Sequence, residues 1–220
     1  MHIPDHFKLD PAEAQIMLAN AGAADVVAVA PTGLEAGFLP LEYHGNCLAT
    51  HIGRANPLAK LDGASALAIF HGPDAYIRST WLRVSPQAKD AGSWNYITVH
   101  AYGTLHIHTD DDAVWTQVMR HQYALEPDFD ASTITAEHKQ KMLRAMVCLE
   151  LEVERVEAKA KMSQNKSPEV VRQVVAGLRE AGCAQVADWM EAYSLPRAVA
   201  KQEMLAQIKA GRSQSAAYEE

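Results

Sequence analysis

Cysteine is scarce in this 220-residue chain, which contains only Cys47, Cys148 and Cys183. The three lie far apart and form no C-x-x-C pair, the spacing that is typical of zinc sites and thiol redox centres. A chain of this length buries an adequate hydrophobic core without disulfides or a structural metal. We therefore interpret the three residues as ordinary thiols in a reducing compartment.

Long apolar runs are also missing. No stretch approaches the roughly 20 apolar residues of a transmembrane helix. The segment from Met1 to Phe7 has no basic part followed by an apolar part, as a secretory signal would have. We expect a cytoplasmic protein.

Positive charge is in deficit, with 20 Lys and Arg residues against 27 Asp and Glu residues and a formal net charge of −7. Proteins bind phosphate backbones chiefly through Lys and Arg, so this balance argues against a broad nucleic-acid surface. No helix-turn-helix pattern is visible. A local basic patch stays open, and its candidates lie in the C-terminal segment: Arg172, Arg179, Arg197, Lys201 and Lys209.

The signatures of common enzymes are absent as well. The chain has no G-x-S-x-G elbow, no H-E-x-x-H helix, no P-loop and no dinucleotide-binding G-x-G-x-x-G. These hydrolase and nucleotide-binding chemistries therefore have no support.

Short apolar segments separated by Gly and Pro turns are what the chain does contain, and they predict an antiparallel meander or barrel. The expected strands cover residues 26–30, 34–43, 47–51, 66–70, 76–77, 95–108 and 147–162. We expect the segment 66–70 to be buried on both faces and to end at Gly72-Pro73. In the last strand the apolar residues shift from odd-numbered to even-numbered positions at Val156. This shift predicts a bulge or bend near Arg155.

Helical signals surround these strands. The expected helices cover 10–21, 110–125, 135–146 and 167–182, with a short one at 57–61 and further helical pattern to about 210. The loop 85–93 is the best candidate for a mobile lid. We predict an α+β fold with a barrel domain over 1–166, a helical appendage over 167–210 and a disordered tail over 211–220.

A first polar cluster lies at the end of the strand 47–51. Thr50 to Pro57, with Lys60 after it, combines small, hydrogen-bonding and cationic residues, the mixture that a phosphate monoester needs. On spacing alone, a polar strand end with a solvated Arg54 explains the same residues.

A second cluster is aromatic. Alternation would place Tyr76, Arg78 and Thr80 on one strand face and Ile77 and Ser79 on the other. Trp94-Asn95-Tyr96 adds two aromatic rings around an amide. Such residues can flank a flat polar ring system, although aromatics in a barrel more often belong to the core.

A third cluster is rich in histidine and shares one face of the strand 95–108: His100, Tyr102, Thr104, His106 and His108. Because histidine is a common metal ligand, a divalent metal site is one interpretation of this face. Because cysteines and inward carboxylates are missing nearby, we favour an exposed or interfacial face.

Several short segments together carry a family resemblance. In chain order they are Ile3-Pro4, His6-Phe7, Leu39-Pro40, His51 to Pro57, Phe70 to Pro73, Ala75-Tyr76-Ile77, Trp81, Trp94-Asn95-Tyr96, Val99-His100, Tyr102-Gly103 and Lys161 to Lys166. Over roughly residues 1–180 the chain resembles the PaiB-like family of FMN-binding negative transcriptional regulators. The resemblance implies a split β-barrel related to the pyridoxamine-phosphate-oxidase-like flavoproteins, with FMN as cofactor. It also implies a homodimer with FMN near the subunit interface.

The resemblance further implies a set of cofactor-binding residues by matching position. The phosphate and ribityl chain would lie at Thr50, His51, Arg54 and Asn56, with Lys60 as an addition. The strand beside the flavin would consist of Tyr76, Ile77, Arg78 and Ser79. Trp94, Asn95 and Tyr96 would approach from a loop, and Lys161, Ser163, Gln164 and Asn165 would close the pocket.

The chain departs from the family pattern at three places. Asp74 stands where His is usual, Arg78-Ser79 where Ser-Pro is usual, and Ala91-Gly92-Ser93 where Val-Pro-Thr is frequent. A carboxylate near a phosphate-bearing ligand would repel it, and Arg78 would compensate. These departures do not affect the expected fold. They affect which contacts the pocket offers to FMN and whether FMN occupies it.

Three functions stay open at this point. The family implies an FMN-binding repressor of transcription, and the wider superfamily suggests an FMN-dependent oxidoreductase by analogy. The third is a flavin-binding module without a redox role. We favour a non-enzymatic role, although the charge balance and the missing helix-turn-helix give repression no physical support of their own.

Overall fold

The computed structural model describes residues 1–20, 22–83 and 91–216, and their side chains up to Ala210. The strands of this part are β1 (Ala23–Ala30), β2 (Gly33–Pro40), β3 (Glu42–His44), β4 (Cys47–Gly53), β5 (Ser65–Ile77), β6 (Ser93–His108) and β7 (Met146–Lys161). Its α-helices are α1 (Pro11–Ala19), α2 (Asp111–Leu125), α3 (Ala136–Ala145), α4 (Pro168–Glu180), α5 (Ala184–Trp189) and α6 (Leu195–Ala216). Short 3₁₀ turns include Pro57–Lys60 and Ser79–Leu82, and a π turn spans Met190–Ser194.

The strands form one sheet in the order β2-β1-β5-β6-β7-β4-β3. β1 pairs with β2 in antiparallel register from Ala23 opposite Pro40 to Ala30 opposite Gly33, as the predicted hairpin requires. β4 pairs with β7 antiparallel from Cys47 opposite Glu152 to Gly53 opposite Met146. The predicted antiparallel sheet is confirmed.

Capping side chains mark the starts of the main helices. Asp10 accepts a hydrogen bond from the first turn of α1, and Asp110 does so for α2. Thr135 and Ser167 have the same role at α3 and α4. These are the N-cap residue types that hydrogen-bond the free amide groups of a first turn, which is why the helix starts were predictable.

The chain divides into two compact units. The first consists of Met1 and residues 10–70 and 99–158, and the second of residues 2–9, 71–98 and 159–220. In the first, Val114, Val118, Leu143 and Cys148 form a buried cluster where α2 and α3 cover the sheet. In the second, α4 contributes a buried apolar face: Val170, Val171, Val174, Val175 and Leu178. The predicted domain boundary at residue 166 stays a prediction.

Strand β5 corrects two predictions. It continues through Gly72-Pro73 to Ile77 instead of ending there. Burial alternates along it, so the segment 66–70 is not buried on both faces, and Leu67 and Ile69 remain half-buried. Buried positions are even-numbered up to Phe70 and odd-numbered from Ala75, so the Gly-Pro pair marks a change of parity within the strand. Pro lacks an amide hydrogen and Gly lacks a side chain, which makes such a local irregularity tolerable.

The end of β5 corrects a third prediction. The strand stops at Ile77, and Ser79–Leu82 form a 3₁₀ turn. Arg78, Ser79 and Thr80 therefore do not continue the alternation of a strand. The proposed lid, residues 85–93, lies largely outside the described residues.

Strand β7 confirms the predicted change of parity. Val147, Leu149 and Leu151 are buried in its first half, whereas Ala158 and Ala160 are buried in its second half. The change falls between Leu151 and Ala158, around the predicted position at Arg155.

The C-terminal helix is longer than predicted. α6 runs to Ala216 and so includes the first residues of the segment 211–220. The predicted disorder of that segment stays a prediction. Within the described ranges, no helix is both long and apolar enough to cross a bilayer.

Candidate functional site

A cavity of about 150 Å³ in the second unit gathers several of the predicted cofactor-binding residues. Phe7, Ile77 and Leu82 give it an apolar wall. Its polar wall comes from the start of β6 and from the turn after β7: Ser93, Asn95, Lys161, Ser163, Asn165 and Lys166. The structure thus brings together Ile77, Asn95, Lys161, Ser163 and Asn165, which the resemblance had assigned to one pocket.

Lys161 ties the end of β7 to the start of β6. Its Nζ donates to Ser93 Oγ at 2.5 Å and to the backbone carbonyl of Trp94 at 2.9 Å. Lys161 as a whole is half-buried and lines the cavity. A cation held in place by two neutral acceptors keeps its charge available to an anionic or electron-rich ligand.

Asn95 and Ser163 form the next part of the wall. Ser163 Oγ donates to Asn95 Oδ1 at 3.1 Å, and Asn95 Nδ2 donates to the thioether of Met190 at 3.4 Å. Asn95 is only 1% exposed. A thioether is a weak acceptor, so the Asn95 amide retains donor capacity. Ser163 has a φ of 59°, which reflects the tight turn after β7.

Gln164 holds that turn together. Its Oε1 accepts from the Met162 amide at 2.8 Å and its Nε2 donates to the Ala160 carbonyl at 2.6 Å. Both ends of the buried side chain are therefore used by nearby backbone, and Gln164 shapes the turn that presents Ser163 and Asn165.

Two aromatic rings lie together in the same unit. Tyr76 and Trp94 are about half exposed, at 53% and 50%, with ring centroids 5.9 Å apart. The Trp94 indole donates to Asp74 Oδ1 at 3.0 Å. The carboxylate that departs from the family pattern is thus engaged by Trp94.

The remaining predicted residues of this unit have other neighbours. The Arg78 guanidinium lies over the Trp81 ring at 5.3 Å, and Lys159 Nζ lies over the Tyr96 ring at 5.3 Å. Ser79 is half-buried in the 3₁₀ turn.

The phosphate-binding candidates belong to the first unit. Thr50 is fully buried and donates from Oγ1 to the His51 carbonyl at 3.4 Å. His51 faces the opposite way, towards α2, where its ring lies 5.6 Å from that of His121. Burial, and secondarily His121, lowers the pKa of His51, while Glu42 raises it. Adjacent residues of a strand point to opposite faces, so these two side chains do not converge.

Arg54, Asn56 and Lys60 complete that set. Arg54 Nη2 donates to the backbone carbonyls of Thr109 and Leu143, each at 3.3 Å. Asn56 Oδ1 accepts from the Leu58 amide at 3.0 Å and so begins the 3₁₀ turn that contains the exposed Lys60. Their assignment to the FMN phosphate stays a prediction.

The histidine-rich face of β6 meets carboxylates of β7. His106 Nε2 lies 3.2 Å from Glu152 Oε2, and His108 Nε2 lies 3.0 Å from Glu150 Oε2. Thr104 donates to Glu154 at 2.8 Å. In the part of the chain that the structure describes, no three His, Cys, Asp or Glu side chains are grouped to hold a metal ion. The face is a cross-strand polar ladder.

Comparison with known families identifies the family of the chain. Residues 1–155 match the family model described as "Putative FMN-binding domain". The chain belongs to this family. FMN is therefore its cofactor, as the sequence resemblance implied.

Known proteins agree with this membership. The chain is 26% identical over 204 residues to the Protease synthase and sporulation protein PAI 2 of Bacillus subtilis (strain 168), a match that covers 87% of this chain and 97% of that protein. The PaiB-like resemblance is confirmed.

Solved structures establish the fold. The FAD and heme binding protein from Mycobacterium smegmatis is 21% identical, with coverage of 69% of this chain and 71% of that one and a TM-score of 0.53. The flavocytochrome Anf3 from Azotobacter vinelandii is 15% identical, with coverage of 72% of each chain and a TM-score of 0.56. The fold is the predicted α+β arrangement with an antiparallel split β-barrel and peripheral helices.

The residues around the cavity fit FMN in chemistry. An isoalloxazine ring needs apolar contact and hydrogen-bond partners at its polar edge, and the ribityl phosphate needs donors and positive charge. Phe7, Ile77 and Leu82 supply apolar contact. Asn95 supplies a hydrogen-bond donor, and Lys161 supplies positive charge. The volume of about 150 Å³ is below the roughly 300 Å³ of small cofactor pockets. The cavity is therefore too small for the whole of FMN.

Sequence reasoning missed part of this wall. Phe7, Leu82, Ser93 and Lys166 line the cavity although they were not among the predicted site residues. Phe7 and Lys166 lie inside segments that carry the family resemblance, and that was the available signal. Nothing in the sequence pairs Ser93 with Lys161, which is 68 positions away.

Proposed function

We propose that this chain is a cytoplasmic FMN-binding repressor of transcription, in which the wall formed by Lys161, Asn95 and Ser163 contacts FMN. The observation that carries the flavin site is the convergence of these side chains with Ile77 and Asn165 on one cavity. Lys161 would supply positive charge, and Asn95 a donor whose present acceptor is a weak thioether.

A regulatory role agrees better with this wall than an enzymatic one. The titratable side chains among the described lining residues are Lys161 and Lys166, and Lys161 already donates twice within the protein. The described lining therefore offers only lysine side chains for general acid–base chemistry. The similarity to the sporulation protein of B. subtilis and the PaiB-like resemblance also support regulation.

A second copy of the chain is part of the proposal. Because the cavity is smaller than a cofactor pocket, we propose that FMN extends beyond it and contacts the partner of a two-fold dimer. Bound flavin supplies redox and light-absorbing chemistry, which would make the protein responsive to its surroundings.

Lys161→Met tests the flavin site. Removal of one charge-assisted contact costs about 1.5 kcal/mol or more, so the dissociation constant for FMN should rise about tenfold or more in a flavin fluorescence titration. Lys141→Met, which changes an exposed lysine of α3, should leave the affinity unchanged. Equal affinities of wild type and Lys161→Met would remove Lys161 from the site.

Promoter binding tests the regulatory role separately. With a net charge of −7, the protein should retain promoter DNA only at low salt, and retention should depend on FMN. The same preparation should not consume NADH or NADPH in steady state. No retention of any promoter fragment, together with sustained turnover, would favour the oxidoreductase instead.

A further inference from the structure

The second unit contains another cavity, a groove of about 460 Å³ between α6 and the turn that leads into α4. One wall is a single face of α6, whose residues follow three- and four-residue spacing: Ala198, Lys201, Gln202, Leu205, Ala206 and Lys209. The other wall is the segment from Asn165 to Pro168. The volume lies within the range of small-molecule sites.

The charged side chains in the described lining of the groove are lysines. Lys166, Lys201 and Lys209 line it, and its described lining includes no Asp or Glu, whereas the chain as a whole carries −7. Lys201 and Lys209 are two helical turns apart, about 12 Å along the axis. The positive end of the α4 dipole adds to this potential at Ser167 and Pro168.

The groove also has an apolar part. Leu205 and Ala206 lie between the two lysines in the sequence of α6, and Pro168 and Ala198 line the groove as well. Leu205 keeps 46% of its surface exposed in the chain by itself. Lysines beside apolar side chains match a ligand that has an acidic head and an apolar body.

We propose that this groove binds a small organic anion with an apolar body, such as a medium-chain carboxylate. It is a second site, distinct from the flavin cavity in its main walls, although Asn165 and Lys166 line both. Lys201 holds the acidic group, and Leu205 contacts the apolar chain. The shared residues place the anion next to the flavin wall, where its binding is able to alter FMN affinity.

Calorimetric titration of the full-length protein with decanoate tests the proposal. Decanoate should bind, whereas decyltrimethylammonium and inorganic phosphate should not, because each lacks one half of the required chemistry. Lys201→Gln and Leu205→Ser should each weaken decanoate binding about tenfold, and Lys201→Arg should retain it. The matched controls are Lys141→Gln on α3 and Met204→Ser, the neighbour of Leu205 that is 54% exposed and lies outside the groove lining. Both should bind like wild type.

Several results would overturn the proposal. These are no binding of decanoate, equal binding of phosphate, or losses in the controls that match those of Lys201→Gln and Leu205→Ser. Complete competition between FMN and decanoate would make the groove part of the flavin site and would also reject a second site. The decanoate titration needs no flavin. A failure of FMN binding would therefore not change its result, and the two proposals can fail independently.

Discussion

At the scale of single residues, Arg54 has a structural role that its sequence context did not reveal. Its guanidinium donates to the carbonyls of Thr109, which follows β6, and of Leu143, in the last turn of α3. We expect Arg54→Ala to lower the free energy of unfolding by about 1 kcal/mol, because both carbonyls lose a charged donor at a partly exposed site. Urea unfolding monitored by circular dichroism measures this.

The same variant tests the phosphate-binding prediction. If Arg54 also contacts the phosphate, FMN affinity should fall by about one to two decades while riboflavin affinity stays unchanged. An equal loss for both ligands would place Arg54 near the ring, and unchanged affinities would leave it with its structural role alone.

His51 should make stability depend on pH. Burial, then His121, lowers its pKa below the ordinary value near 6.5, and Glu42 opposes this shift. The unfolded chain therefore takes up the His51 proton at higher pH than the folded chain. The contribution of neutral His51 to the free energy of unfolding should be fully present above pH 6.5. It should be lost as the pH drops through 6.5 towards the folded-state pKa.

Chemical denaturation on both sides of this window checks the expectation. His51→Gln should lose less stability than wild type on acidification, because the titrating group is gone. His138→Gln, at an exposed position of α3, serves as the control and should behave like wild type. If wild type and His51→Gln respond identically to pH, His51 does not govern this dependence.

At the scale of elements, α4 depends on a glycine in its buried face. A Cβ at Gly177 would lie 2.5 Å from the Trp81 ring, so the glycine allows the indole to pack against the helix. Ala normally stabilises a helix by about 1 kcal/mol over Gly. We expect Gly177→Ala to destabilise instead by about 1 kcal/mol, because overpacking costs about 1–3 kcal/mol.

A double-mutant cycle separates the two effects. In a Trp81→Leu background, Gly177→Ala should become neutral or stabilising, as measured by thermal unfolding. Ala176→Gly, at the neighbouring exposed position, should lose about 1 kcal/mol from propensity alone. A stabilising Gly177→Ala in the wild-type background would show that Trp81 is free to move away.

Local chemistry explains which elements were predictable. Asp10, Asp110, Thr135 and Ser167 cap helices through contacts two or three residues away, so the helix starts could be read from the sequence. Gly72-Pro73 was misread as an end because these residues usually terminate strands. The neighbours of β5 in the sheet are β1 and β6, and such distant partners are invisible in a local pattern.

At the scale of the whole molecule, we expect a two-fold dimer. The cavity of about 150 Å³ that we propose for the flavin is too small for the whole of FMN, and we propose that a second copy supplies the remaining contacts. Light scattering at micromolar concentration should give twice the chain mass. A monomer that still binds FMN would show that one chain suffices.

The candidate site was predictable only in part. The turn from Lys161 to Asn165 was assigned through the family resemblance, since its composition indicates no ligand. Its contacts join residues far apart in sequence, as between Ser163 and Asn95 or between Lys161 and Ser93. Spacing along one strand or helix does not encode such contacts, so Ser93 and Phe7 were missed.

The central claim is that the folded chain holds FMN at the wall formed by Lys161, Asn95 and Ser163. Co-elution tests this claim most directly. Protein incubated with excess FMN is passed through a size-exclusion column while visible flavin absorbance and protein absorbance are recorded together. We predict that flavin elutes with the wild-type protein at one FMN per chain, and that Lys161→Met, still folded by circular dichroism, retains much less. Elution of all flavin at the volume of free FMN, from a folded wild-type protein, would contradict the account.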